Sequence, residues 1–187
     1  MAVWLQQEWV EAAARLQESL RSLVPADGVR WVHPQRMHVT LAFLGEVSPR
    51  GRQQAISALR RALEDRPAFP VGWGNLGAFP NWRRPQVLWV GIGKGAAQLA
   101  DLAARVRDAL HQEGLWFDPK PFRAHITLAR LARSLPPQVV RDLEKVSLPQ
   151  PGEQWVSEAL LVSSRLGPGG PRYREEVRVG LEGAGKE

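Results

Sequence analysis

The chain has 187 residues, with 25 Lys and Arg against 19 Asp and Glu for a net charge of +6, 44% hydrophobic residues and no cysteine. That composition supports one compact core. It excludes disulfides, thiolate nucleophiles and cysteine-held zinc, and no run approaches the roughly 20 apolar residues that cross a bilayer. The cationic excess, mostly arginine, favours an anionic partner, because a guanidinium offers phosphate a planar fork. The opening Met1-Ala-Val-Trp-Leu5 is apolar but runs into Gln6, Gln7 and Glu8 without a basic leader region, so the chain is read as cytoplasmic.

Residues 6–23 place Trp9, Leu16, Leu20 and Leu23 at helical spacing, and Val24-Pro-Ala-Asp-Gly28 ends that helix. Residues 37–44 alternate as a strand: Met37, Val39, Leu41 and Phe43 on one face, His38, Thr40, Ala42 and Leu44 on the other. Ser48 then reads as a helix cap, with Pro49 at the first helical position and Ile56, Leu59 and Leu63 as the apolar stripe. Residues 67–80 are extended and rich in glycine and aromatics, and 86–92 form a buried strand. A second helix–strand–helix series follows over 96–111, 123–129 and 136–145. Strands at 155–163 and 173–181 flank a Gly/Pro turn at 166–171. The expected organisation is one two-lobed domain over 1–182 with a disordered tail at 183–187, an α+β fold built by internal duplication.

The duplication is most visible in Arg36-Met-His-Val-Thr-Leu-Ala42, which recurs as Arg123-Ala-His-Ile-Thr-Leu-Ala129. Thr40 and Thr127 are the only threonines in the chain, and each stands two residues after a histidine. Residues two apart on a strand point the same way, so each copy lines up Arg, His and Thr, the second adding Ala129. Such a row gains nothing by burial unless it faces a cleft or a ligand. Two copies related by a pseudo-twofold axis give a pocket with two imidazoles, two hydroxyls and several guanidinium groups. That inventory suits a phosphate: hydroxyls and arginines bind the oxygens, while one imidazole takes a proton and the other gives one.

His33, in a Pro-flanked loop, and His111, at a helix end, are read as structural. A zinc site lacks a carboxylate at ligand spacing, the nearest acids being Glu46 and Asp118. Gly91-Ile-Gly-Lys-Gly95 lacks phosphate-loop spacing and reads as a strand-to-helix turn. Trp73, Phe79, Trp82 and Trp89 are candidates for stacking on bases with Arg83 and Arg84 on the backbone, although most read as core.

The paired His38-Val-Thr-Leu41 and His125-Ile-Thr-Leu128 resemble the two H-x-T-x motifs of the two-histidine (2H) phosphoesterases. Met37-His-Val-Thr-Leu-Ala-Phe-Leu-Gly45, Gly77-Ala-Phe-Pro-Asn81 with Pro85-Gln-Val-Leu-Trp-Val-Gly91, and Pro121-Phe-Arg-Ala-His-Ile-Thr-Leu-Ala-Arg130 are similar to the bacterial and archaeal RNA 2′,3′-cyclic phosphodiesterase branch, the LigT-like 2′-5′ RNA ligases. Ser164-Arg-Leu-Gly-Pro-Gly-Gly-Pro-Arg-Tyr173 fits its terminal hairpin. The resemblance implies a bilobal fold of two antiparallel sheets with flanking helices around a central cleft. It implies hydrolysis of RNA 2′,3′-cyclic phosphate ends, tRNA halves among them, to 2′-phosphomonoesters by a monomer without metal or other cofactor.

Carried over, His38 is the proton donor and His125 the proton acceptor. Thr40, Thr127 and Arg130 hold the phosphate, with Arg36 and Arg123 beside it. Two departures stand out. Ala2-Val-Trp-Leu5 matches only the second half of the usual first strand, leaving a shortened edge strand, and Ala124 replaces a common proline at a cost in rigidity. Other substrates for the same site are 2′-5′ linked oligonucleotides, ligation included, or small cyclic nucleotides. A non-catalytic reading is an RNA-binding module.

Overall fold

A computed structural model describes residues 1–167 and 170–182. In chain order it runs β1 (Ala2–Trp4), α1 (Gln7–Arg21), β2 (Val29–Trp31), a 3-10 turn (Pro34–Arg36), β3 (His38–Thr40) and α2 (Pro49–Leu63). Then come β4 (Phe69–Val71), β5 (Trp73–Phe79), β6 (Val87–Ile92), α3 (Ala96–Gln112), β7 (His125–Leu131) and α4 (Pro137–Leu143). Three strands close it: β8 (Gln154–Val156), β9 (Glu158–Gly167) and β10 (Gly170–Gly180). The expected tail at 183–187 and the centre of the 166–171 turn lie outside the described residues.

Local chemistry explains most boundaries. The Ser48 hydroxyl accepts the Gly51 amide at 3.0 Å, and Pro49 opens α2. Gly95, at φ 73, caps α3, so the glycine-rich segment is the strand-to-helix turn that its spacing predicts. His33 caps the 3-10 turn by accepting the Gln35 amide at 3.3 Å, the structural role expected of it.

Eight strands form an antiparallel sheet along the path β10-β9-β1-β3-β7-β6-β5, with β2 paired to β7, and β4 with β8 forms a separate two-stranded sheet. The path divides into two groups of four that meet at one registered pair, Val39 opposite Ile126. Val39 and Ile126 are buried along with Leu16 and Leu20 of α1, Leu59 and Leu63 of α2, and Leu99 and Leu110 of α3, so these side chains belong to one core. No helix among the described residues is long and apolar enough to cross a membrane.

Two expectations change. The predicted strand over 37–44 is ladder-paired with β1 only from His38 to Thr40, and beyond it the Met1 carbonyl takes the amides of Leu41 at 2.9 Å and Ala42 at 3.4 Å. Past that point the alternation fails: Phe43, expected on one face with Met37, Val39 and Leu41, is 59% exposed while those three are buried. Nor is β1 an edge strand. It pairs with β3 on one side and β9 on the other, which makes its three residues central.

Candidate active site

The Val39–Ile126 pair marks the pseudo-twofold axis. One step outward along this antiparallel register brings His38 beside Thr127 and Thr40 beside His125. Alternation puts all four side chains on the face opposite the buried Val39 and Ile126. The histidines therefore occupy one diagonal of a square and the threonines the other. Diagonal neighbours on a sheet stand about 7–8 Å apart, room for one tetrahedral phosphate between the rings.

Both imidazoles are oriented alike. Nδ1 of His38 lies 2.8 Å from the Arg36 carbonyl, and Nδ1 of His125 lies 2.6 Å from the Arg123 carbonyl. A carbonyl only accepts, so each Nδ1 carries the proton and each Nε2 is left to do chemistry. Arg36 closes the 3-10 turn and Arg123 precedes β7, so neither belongs to the strand row that the sequence pattern predicts. Their first contribution is the carbonyl, while the Arg123 guanidinium lies 5.8 Å over the Phe79 ring.

Aromatic rings wall each histidine. Trp4 stands edge-on to His38 at 5.3 Å, and Tyr173 at 5.6 Å. Phe79 stands 4.9 Å from His125, and Trp89 6.0 Å. The walls break the symmetry: Trp4 is opposite His38 and Ala2 opposite Thr40, whereas Gly91 is opposite His125 and Trp89 opposite Thr127. Glycine beside His125 leaves the Trp89 ring space to cross toward it. Gly77 serves the same ring from the other side, since a Cβ there would come within 2.7 Å of Trp89 Cε2 and closer still to the outer ring carbons. Of the four aromatic candidates, Phe79 and Trp89 thus reach the site, while Trp73 is buried against Trp9 and Trp82 packs on the core.

Arg130 reaches the site face through a bulge. Trp89 pairs with Thr127 but Leu88 pairs with Ala129, which leaves Leu128 as the extra residue on β7. Alternation shifts beyond it: Ala129, expected on the site face, is fully buried, and Arg130 is exposed instead. The first repeat follows the same burial pattern, with Ala42 buried and Phe43 exposed. Phe43 is therefore the pseudo-symmetric counterpart of Arg130.

Burial is the main cause that lowers the pKa of both histidines below 6.5, and the carbonyl bonds oppose it. Arg130 and Arg123 lower His125 further, whereas on His38 the additional lowering comes from the N-terminal amine and from His125. At neutral pH both rings are consequently neutral in the free protein. That differs from a site with one histidine already protonated.

Two supporting residues have no counterpart in the sequence reading. Gln17 of α1 is 3% exposed and donates Nε2 at 2.8 Å to both the Val32 and Leu128 carbonyls, tying the helix to the second motif strand. Gln154 donates at 2.8 Å to the Trp4 carbonyl and accepts the Gln6 amide at 2.7 Å. The signal was a glutamine between Leu16 and Leu20 on an apolar helix face. Among the described residues, no cluster of three or more His, Cys, Asp or Glu has metal-binding geometry.

A family model described as LigT like Phosphoesterase matches residues 3–89 and again 90–173, one match per half. An Archaeoglobus fulgidus protein named RNA 2′,3′-cyclic phosphodiesterase is 35% identical over 83% of this chain and 86% of its own length. A protein of the same name from Aquifex aeolicus is 33% identical over 81% of this chain and 82% of its own. A crystal structure of a Thermus thermophilus protein superposes with TM-score 0.79 at 28% identity, covering 97% of this chain and 96% of that one. The antiparallel α+β arrangement is thus that of LigT-like proteins.

Proposed function

The chain belongs to the LigT-like phosphoesterases, and on that premise we propose that it hydrolyses RNA 2′,3′-cyclic phosphate ends to 2′-phosphomonoesters. The observation that carries this reading is the diagonal pair of Nε2 atoms, held by backbone carbonyls on either side of a phosphate-sized space. An in-line displacement needs its attacking and leaving oxygens on opposite sides of phosphorus, and two facing imidazoles serve that geometry.

His125 Nε2 takes a proton from water as the water oxygen bonds to phosphorus. The bond from phosphorus to the 3′ oxygen breaks, and His38 Nε2–H delivers a proton to that oxygen. The product is a 2′-phosphate beside a free 3′ hydroxyl. Burial first, and then Arg130 and Arg123, keep His125 neutral, which favours it as the base. His38, lowered by burial and further by the N-terminal amine and His125, gains its proton when the anionic phosphate enters and favours the imidazolium. The hydroxyls of Thr40 and Thr127 donate to the non-bridging oxygens, with Arg130 and Arg123 answering the charge that develops there. Arg36 adds positive potential at the His38 end. The exposed ring of Phe43 offers the terminal base a stacking face. One chain supplies both motifs, so the reading is of a monomer acting on RNA ends in the cytoplasm, tRNA halves included.

The test is incubation with labelled RNA ending in a 2′,3′-cyclic phosphate, followed by mapping of the product end. A 2′-phosphate is expected, unaffected by EDTA. His38→Ala and His125→Ala should each lower the rate by roughly 10²–10⁴-fold. A 3′-phosphate product, or wild-type turnover in either variant, overturns the assignment. Cleavage of 2′-5′ linked oligonucleotides without action on cyclic ends would move the substrate, not the site.

A further inference from the structure

Outside His38 lies a cavity of about 610 Å³ that the catalytic step does not use. Its lining includes Trp4, Gln35, Arg36, Arg172, Tyr173 and Glu175. Trp4 and Tyr173 are also the rings against His38, so cavity and reaction centre share one aromatic wall. The Tyr173 ring is 37% exposed.

A second feature of the same edge has no structural explanation. Arg172 on β10 lies opposite Arg165 on β9 in the antiparallel register, and like charges so placed repel. Both are exposed, and among the described residues neither forms a salt bridge. The acid in the cavity, Glu175, is already answered by Arg178 at 3.0 Å, so it does not neutralise them. A cation pair maintained against its own repulsion is suited to an anion.

We propose that this cavity is the subsite for the RNA strand leading into the cyclic end. The nucleotide before the terminal one packs near Tyr173, with its phosphate at the rim, where Arg172 lines the cavity and Arg165 stands opposite it on β9. The inference rests on the proposed reaction, in which His38 faces the leaving 3′ oxygen and so the ribose from which the strand departs. A cavity of this volume holds one nucleotide, and aromatic and guanidinium groups together suit a stacked base and its phosphate. The substrate class is then an oligonucleotide end, in preference to a cyclic mononucleotide.

The experiment compares kcat/KM for a 2′,3′-cyclic mononucleotide with that for a trinucleotide ending in a 2′,3′-cyclic phosphate. The wild type should prefer the trinucleotide by about tenfold or more, the size of one or two charge-assisted contacts. Arg165→Ala/Arg172→Ala should erase most of that preference and leave the mononucleotide within about twofold. Arg172→Glu should do the same or more. Equal losses on both substrates, or no preference in the wild type, overturn the subsite.

A second arm needs no turnover: fluorescence anisotropy with a labelled trinucleotide ending in a 2′-phosphate. The double variant should bind about tenfold more weakly, with a shallower salt dependence because two phosphate contacts are gone. Unchanged affinity overturns the proposal. If no cyclic phosphate is hydrolysed at all, the proposed reaction fails while this arm still decides the subsite.

Discussion

Gly77→Ala tests how the His125 wall is built. The added Cβ would sit within 2.7 Å of Trp89 Cε2 and nearer still to Cζ2 and Cη2, well inside contact distance for a rigid ring. Gly77 faces Trp89 across the β5–β6 ladder, so moving β5 breaks that ladder, and moving β6 breaks its pairing with β7 as well. Either the ring rotates away from His125 or the sheet opens. Overpacking of this kind costs about 1–3 kcal/mol. For a chain of this size each kcal/mol lowers Tm by about 2–4 °C, so the loss should be about 2–12 °C. Ring displacement also admits water to His125, whose lowered pKa comes first from burial. Its pKa should then rise toward the ordinary value, shifting one limb of the pH profile of kcat/KM upward. Thermal melts and pH–rate profiles of Gly77→Ala, Trp89→Leu and the double variant form a cycle. With the indole removed, the alanine should cost much less than it does alone. A Gly77→Ala protein with wild-type Tm and an unmoved profile would refute the packing argument.

Both histidines have folded pKa values below 6.5, so the unfolded chain binds protons that the folded one does not. Their contribution to stability is complete above about pH 6.5 and is lost as pH falls through the lowered values; His38→Gln/His125→Gln should flatten that fall in denaturant titrations between pH 7 and 5. The catalytic step needs one proton shared by the pair, so kcat/KM should follow a bell centred below pH 6.5, and a maximum near pH 8 would contradict the buried setting. Gln17→Leu strips the Val32 carbonyl of its side-chain donor and one donor from Leu128, and should cost about 1–3 kcal/mol by chemical denaturation. A neutral result would mean that water replaces the amide.

The sequence alone determined the elements that local chemistry dictates. Helix α2 starts where the Ser48 hydroxyl accepts the Gly51 amide and Pro49 has no amide to satisfy, α3 where Gly95 adopts a left-handed turn, and the His and Thr of each motif share a face because a strand alternates. The repeated motif, with the chain's only two threonines, was legible for the same reason: period-two spacing is a local property. What depended on partners was not. Phe43 emerges because the β1–β3 ladder stops at Thr40, and Arg130 turns toward His125 because Leu128 is extra against β6. Likewise, Trp4 and Tyr173 meet at His38 only because β1 and β10 come together there. The pairing of β3 with β7 through Val39 and Ile126 sets His38 diagonal to His125, and burial in that pairing makes both rings neutral. A pattern of two states which residues share a strand face. Register, bulges and burial are relations between distant segments, and tertiary structure alone decides them.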